Sequence, residues 1–256
     1  MTQNRDMTWN GVAIITGASS GIGAAIAQKL ASNAKGVIIA ARRFERLEKL
    51  SKTLGKHVIP IACDVSNKKQ VQVLADEAIS RFGQIDAIIN NAGILPMSSM
   101  ARCQTEDWEK AIDVNIKGVL YGIAAVLPHM LNQKVGHIIN ISSIAGRKIF
   151  AGAAVYCGTK HAVHSIGEGL QLDLSERSQK DGNTIKVTTI APGLVQTELP
   201  NSVNHESARL NFQKTMEHFD GPLQPHDIAE SVAFALDSPS HVEIGEIVIK
   251  PTKQLF

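Results

Sequence analysis

Seven short apolar runs alternating with longer amphipathic segments constrain this chain more than any other feature. The runs are residues 12–15, 37–40, 58–61, 85–89, 137–141, 185–190 and 244–249. After the first, Ile22, Ile26 and Leu30 recur at helical spacing; after the second, Phe44, Leu47, Leu50 and Leu54 do the same. Val71, Leu74, Ala75, Ala78, Ile79 and Phe82 form a fuller helical face. A strand that is apolar along its whole length is buried on both sides, and strands that alternate with helices pair in parallel. The pattern predicts an α/β fold: a single-domain, Rossmann-type, doubly wound parallel sheet of about seven strands with helices on both faces. Pro60 lies inside the third run. Proline is tolerated mainly in edge strands, and in the strand order 3-2-1-4-5-6 the third strand is an edge.

The chain has 256 residues, enough for one full core, and no repeat or linker divides it. Residues 1–256 are read as one domain. With 44% apolar residues and a formal net charge of +2, the composition is that of an ordinary globular protein and carries no electrostatic footprint for nucleic acid. No run approaches the roughly 18 apolar residues of a membrane helix. Residues 1–10 are polar, without a secretory apolar core. The expectation is a cytoplasmic protein with neither membrane nor nucleic acid as partner. Cys63, Cys103 and Cys157 lie far apart, with neither disulfide nor metal-ligand spacing, so no metal is expected. Residues 193–225 are poor in apolar side chains and carry Pro200, Pro222 and Pro225, with a short helix near 206–219. This stretch is either a substrate lid or a surface excursion without a role.

The turn between the first strand and the first helix reads Thr16-Gly17-Ala18-Ser19-Ser20-Gly21-Ile22-Gly23. Glycines there allow a tight reversal and close approach of a diphosphate to backbone N–H groups, and the helix N-terminus adds a favourable dipole. The spacing is G-x-x-x-G-x-G rather than the usual G-x-G-x-x-G. An acidic residue at the end of the second strand would bond the ribose of NAD. This chain has Arg42 and Arg43 there and no acid. A guanidinium suits a phosphate, which points to NADP. The alternative is that both arginines are solvated, Arg43 being the more idle of the two.

Tyr156 and Lys160 stand four residues apart, with Ser143 upstream. Positions i and i+4 share one helix face. An ammonium beside a phenol favours the phenolate and pulls its pKa from about 10 toward neutrality. Such a tyrosine can move a proton at a carbonyl or alcohol oxygen. The other tyrosine, Tyr121, sits in an apolar segment and is read as core. His161 and His164 lack a third ligand at helical spacing and are read as structural or exposed. Cys157 points about 100° away from Tyr156 on a helix and is read as packing.

These pieces, with Asp64-Val65, Asn90-Asn91-Ala92-Gly93, Asn115, Ser142-Ser143 and Pro192-Gly193, stand in an order that resembles the short-chain dehydrogenase/reductase family. The likeness runs over 12–249. It implies that Asp64 and Val65 flank the adenine, and that Asn91, Ala92 and Gly93 lie beside the cofactor ribose, with Asn91 bracing the sheet. It implies further that Pro192, Gly193, Val195 and Thr197 lie along the nicotinamide. Asn115, Ser143, Tyr156 and Lys160 match the family's catalytic tetrad, with Asn115 holding a water that links Lys160 to solvent. The family's spacing favours Ser143 over Ser142, which alternation along a strand points the other way. The tail, residues 247–256, lacks the glycine-rich ending of many members and looks like the branch of bacterial NADP-dependent hydroxy-acid and carbonyl reductases.

The expected activity is NADP-dependent interconversion of a carbonyl and an alcohol, on either apolar ketones and aldehydes or 3-hydroxy acids and hydroxy amino acids. A nucleotide sensor without turnover is a rival that the intact Ser143, Tyr156 and Lys160 set disfavours. Residues 94–97, 145–150 and Leu194 are expected to shape the substrate pocket, with Arg147 and Lys148 either binding an anion or simply solvated. Apolar faces on helices near 107–128 and 154–178 suggest a homodimer or homotetramer.

Overall fold

The computed structural model describes residues 7–218 and 221–255. Residues 1–6 of the polar N-terminal segment, 219–220 of the lid and the last residue of the tail lie outside them. Seven strands, β1 (Val12–Thr16), β2 (Gly36–Ala41), β3 (Val58–Ala62), β4 (Ala87–Asn90), β5 (Val135–Ile141), β6 (Thr184–Pro192) and β7 (Glu246–Ile249), form one sheet. Every pairing is parallel, in the order β3-β2-β1-β4-β5-β6-β7. Each strand lies within two residues of its predicted run. Pro60 pairs with Ile39 in β3, which is the edge that the sequence requires.

Alternation along the strands divides the core in two. Ile15, Ile39, Ile89 and Ile190 face α1 (Gly21–Ala31), α2 (Phe44–Leu54) and α8 (Pro225–Leu236), and pack with Ile26, Leu30, Leu47, Ile228 and Val232. Ile14, Ile38, Ile88 and Val187 face α3 (Lys68–Phe82), α5 (Gly118–Gln133) and α6 (Ala154–Asp181), and pack with Leu74, Val126, Met130 and Val163. Full burial of each such aliphatic side chain is worth about 1.5–3 kcal/mol, so the two layers dominate the stability of the fold. Helix ends are set locally. Asn67 caps α3 by accepting from the Lys69 and Gln70 amides, and Gly83 ends it in the left-handed conformation, φ 78°.

Helix α4 (Thr105–Ile112) runs into α5 through a π-turn, Asp113–Lys117. This helix, Thr105–Gln133, is by length and composition apolar enough to cross a membrane, although no uninterrupted apolar run of that length occurs in it. Val119, Ile123, Val126 and Met130 are buried against the sheet, which accounts for its apolar character. Helix α7 (Glu206–His218) falls within the predicted lid, close to the predicted helix.

The sheet order reverses between β1 and β4, and ligands of such sheets bind at the carboxyl ends of the strands where this happens. The loops after these two strands are tied together. Thr16 Oγ1 accepts from the Asn91 and Ala92 amides at 3.0 and 3.1 Å, and Asn91 Nδ2 donates to the Thr16 carbonyl at 2.9 Å.

Candidate active site

A cleft of about 860 Å³ opens at these strand ends. Its walls come from the turn after β1, the ends of β2 and β3, the loop after β4, the end of β5, the start of α6, the loop after β6 and the tail. Of the catalytic and cofactor-binding residues expected from the sequence, all but Gly23 and Asn115 line it.

The turn after β1 has the form that an anion needs. Gly17 and Gly21 take positive φ, 68° and 55°, where a side chain would be strained. Gly23 lies behind them as a packing residue: a Cβ there would stand 2.5 Å from the Gly17 carbonyl and 2.6 Å from Asn91 Nδ2. Ser20 caps α1 without a side-chain hydrogen bond, and the first turn of that helix carries no acid. The amides and dipole at this N-terminus are therefore not answered by a local side-chain anion. The glycine cradle and this helix end fit a dinucleotide diphosphate.

The two arginines after β2 both line the cleft and take different partners. Arg42 lies within electrostatic reach of Asp64, whose carboxyl is held below its usual range. Burial, the largest influence, pushes it up and is outweighed by hydrogen bonds from Ser66 and by the cations Arg42 and Lys110. Arg43, the more idle of the two under the solvated alternative, folds back over the turn. Its guanidinium donates to Ser19 Oγ at 2.9 Å from Nη2 and to Ser20 Oγ at 2.7 Å. Its Nη1 meets Glu198 Oε2 at 2.8 Å, and Arg46 Nη1 meets both oxygens of the same carboxylate at 2.8 Å. Hydrogen bonds from Arg43 and Arg46 push the Glu198 carboxyl down to about 2. Arg46 follows Arg43 by three residues on α2, so helical spacing could have found it. Glu198 belongs to the loop after β6, and nothing in the sequence links it to the arginines.

Tyr156 and Lys160 project from the first turns of α6, both nearly buried, with 8% and 5% of their surface exposed, and both reach the cleft. Lys160 Nζ donates to the Ile141 carbonyl at 2.9 Å and lies 5.8 Å from the centre of the Tyr156 ring. The expected fall in the tyrosine pKa is not present. Burial pushes the phenol up to about 12, against the opposing influence of a hydrogen bond with the Ser143 hydroxyl. Burial also pushes the Lys160 ammonium down to about 8. Withdrawal from water disfavours the charged form of each.

The two serines separate by role. Ser142 Oγ is buried and donates to the Lys160 carbonyl at 3.2 Å. Ser143 Oγ sits beside the Tyr156 hydroxyl and donates to the Pro192 carbonyl at 3.4 Å. Asn115, 1% exposed, is held by the π-turn. Its Oδ1 accepts from the Ile94 amide at 2.9 Å, and its Nδ2 donates to the Ile94 carbonyl at 2.9 Å and to Thr159 Oγ1 at 3.1 Å. It thus clamps the loop after β4 to α6. π-turns of this kind occur frequently at functional sites.

The apolar end of the cleft is made by Leu95, Met97, Phe150, Leu199 and Phe212 around Tyr156. Arg147 and Lys148 do not line it; Arg147 pairs with Glu246 of β7 instead. His164 is half-buried beside that same carboxylate, its Nδ1 at 3.5 Å, and His161 Nδ1 meets the Cys157 carbonyl at 2.8 Å. Cys157 is fully buried, as expected of a packing residue, and Tyr121 packs against the second core layer. The tail closes one wall. Gln254 Oε1 accepts from the Leu194 amide at 3.0 Å, and Lys253 and Leu255 also face the cleft. Its departure from the usual ending was visible in the sequence; its contact with the loop after β6 was not.

Comparison with known proteins gives a consistent answer. Residues 11–208 match the family model described as short chain dehydrogenase. An uncharacterized oxidoreductase of Staphylococcus saprophyticus is 41% identical over 244 residues, covering 95% of this chain and 96% of the relative. The closed form of a serine dehydrogenase complexed with NADP+ superposes with TM-score 0.87 at 33% identity, covering 96% of both chains. A short chain dehydrogenase/reductase from Burkholderia phymatum in complex with NAD has TM-score 0.84 at 30% identity, covering 94% of this chain and 89% of the other.

Proposed function

Because the chain belongs to the short-chain dehydrogenase/reductase family and is an oxidoreductase, we propose that it interconverts a carbonyl and an alcohol with NADP as its preferred cofactor. The observation that carries this reading is the convergence of Ser143, Tyr156 and Lys160 on one cleft whose other end holds a glycine cradle and a cluster of arginines.

When bound, NADPH supplies a hydride to the carbonyl carbon. Tyr156 holds the substrate oxygen and gives it the proton in reduction, or takes it in oxidation. The Ser143 hydroxyl turns from the Pro192 carbonyl toward that oxygen as negative charge develops; one such donor is worth about 3–4 kcal/mol. Lys160 stabilises the phenolate as it forms, so its ammonium must be charged at that moment. Asn115 serves as a positioning residue, holding the loop that carries Gly93 and Ile94 against α6. The buried, apolar surroundings of Tyr156 strengthen each of these interactions. Replacing Tyr156 with Phe removes the transferable proton and little else. Turnover should fall by at least about a thousandfold, near the upper part of the range for general acid–base catalysis, while NADPH affinity changes by less than about fivefold. Loss of cofactor binding in a binding titration would show the residue to be misassigned.

The preference for NADP rests on Arg42, Arg43 and Arg46 and on the lack of an acid after β2. A second reading, oxidation of a 3-hydroxy acid or hydroxy amino acid, is favoured by the likeness to serine dehydrogenase. With Arg147 and Lys148 outside the cleft, Lys253 of the tail is the cation that a carboxylate-bearing substrate would meet there beside Lys160. We also propose self-association through the outer faces of the α4–α5 helix and α6, where Ile112, Leu120 and Leu172 are exposed. Sedimentation should give a multiple of 27.5 kDa; a monomer at micromolar concentration would contradict this.

A further inference from the structure

Glu198 lines the cleft, and the proposed chemistry does not use it. Its carboxylate sits between two guanidiniums, both of its oxygens within 2.8 Å of Arg46 Nη1 and one within 2.8 Å of Arg43 Nη1. Arg43 at the same time spans Ser19 and Ser20 at the mouth of the glycine turn. Two arginines one helical turn apart, gripping one carboxylate at the rim of a nucleotide cleft, are a receptor for a small dianion. The pair is open to solvent: Arg43, Arg46 and Glu198 expose 46%, 48% and 43% of their side chains. An exposed ion pair is weak and exchangeable.

Glu198 also lies near the start of the lid. It caps the 3-10 turn Leu199–Ser202, and Ser202 Oγ accepts from the Leu95 amide at 2.8 Å, next to the apolar end of the cleft. Val203, one residue further on, is buried beside Tyr156. The lid is thus pinned at two points, by an ion pair at the cofactor end and by buried contacts at the substrate end.

We propose that Glu198 is an internal stand-in for the 2′-phosphate of NADP, that Arg46 is a second arginine of the phosphate site beside Arg43, and that the arriving phosphate displaces Glu198 and frees the first turn of the lid. This rests on the reading of the cleft as an NADP site. It assigns cofactor discrimination to a contact between α2 and the lid, as well as to the residues after β2.

The test is calorimetric titration of the full-length protein with NADP+ and with NAD+, in parent, Glu198→Gln and Arg46→Ala. Removing the competing carboxylate should tighten NADP+ by about two- to fivefold, the size of one exposed ion pair, and leave NAD+ within about twofold. Arg46→Ala should weaken NADP+ by about tenfold, one charge-assisted contact to phosphate, and spare NAD+. Hydrogen exchange adds a readout independent of affinity. The amides of Leu199, Asn201 and Ser202 should exchange faster in the NADP+-saturated parent than in the NAD+-saturated parent, and equally fast in the two saturated states of Glu198→Gln. If parent prefers NADP+ but Glu198→Gln binds it no more tightly, the displacement is wrong and the NADP reading stands. A specific loss of NAD+ affinity in Glu198→Gln would mean that the carboxylate holds ribose hydroxyls, which also overturns the proposal. If parent itself prefers NAD+, the cofactor reading fails first.

Discussion

At the scale of single residues, the site is defined by charge withdrawn from water. Lys160 is the clearest case, because burial brings its pKa down to about 8. The sign follows from the role of the ammonium. Below about pH 8 the side chain carries its proton and can stabilise a phenolate at Tyr156; above it the charge is lost. The value of kcat/KM for NADPH, which reports on the free enzyme, should therefore decline as pH rises through about 8 in the direction of reduction. A profile that stays flat to pH 10 would remove Lys160 from the ionisations that matter. Tyr156, pushed up to about 12, remains protonated throughout this window and ready to donate. Its residue type and spacing from Lys160 were legible in the sequence, but the direction of its shift was not. A four-residue spacing shows that two groups can meet; it does not show how much water each loses in meeting.

At the scale of elements, the strands were legible because burial on both faces leaves uninterrupted apolar runs, and Pro60 even marked which strand is the edge. The glycine turn was legible because few residues other than glycine adopt positive φ at Gly17 and Gly21. The π-turn was hidden, because its register depends on what Asn115 grips rather than on any periodicity. Asn115 satisfies both backbone groups of Ile94 and binds Thr159. Asn115→Ala would leave the Ile94 amide and carbonyl without that partner, at a cost of about 1–3 kcal/mol. Urea unfolding should show that loss. The KM for the carbonyl substrate should also rise as the loop after β4 loses its fixed distance from α6. Unchanged stability with lost turnover would instead point to a direct role at the reacting atoms. The contact between α2 and the lid was equally hidden: Arg46 and Glu198 are separated by most of the chain, and only the path of the loop after β6 brings them together.

At the scale of the whole molecule, one parallel sheet carries a single cleft at its strand ends, and residues of 193–225 and of the tail contribute to its walls. On the proposed reading, the apolar wall of Leu95, Met97, Phe150 and Phe212 would meet the body of an aliphatic or aromatic substrate. On that reading the substrate class follows from what this wall engages, and the cofactor from the arginines after β2. Both are read by one experiment. Initial rates of NADPH and NADH oxidation should be measured across a panel of neutral ketones, aldehydes and 3-oxo acids. The account predicts turnover of at least one of these carbonyls with NADPH, and a kcat/KM for NADPH at least about tenfold above that for NADH, the discrimination of one well-made phosphate contact. Tight binding of NADPH with no turnover of any member of the panel, or equal use of the two cofactors, would contradict it.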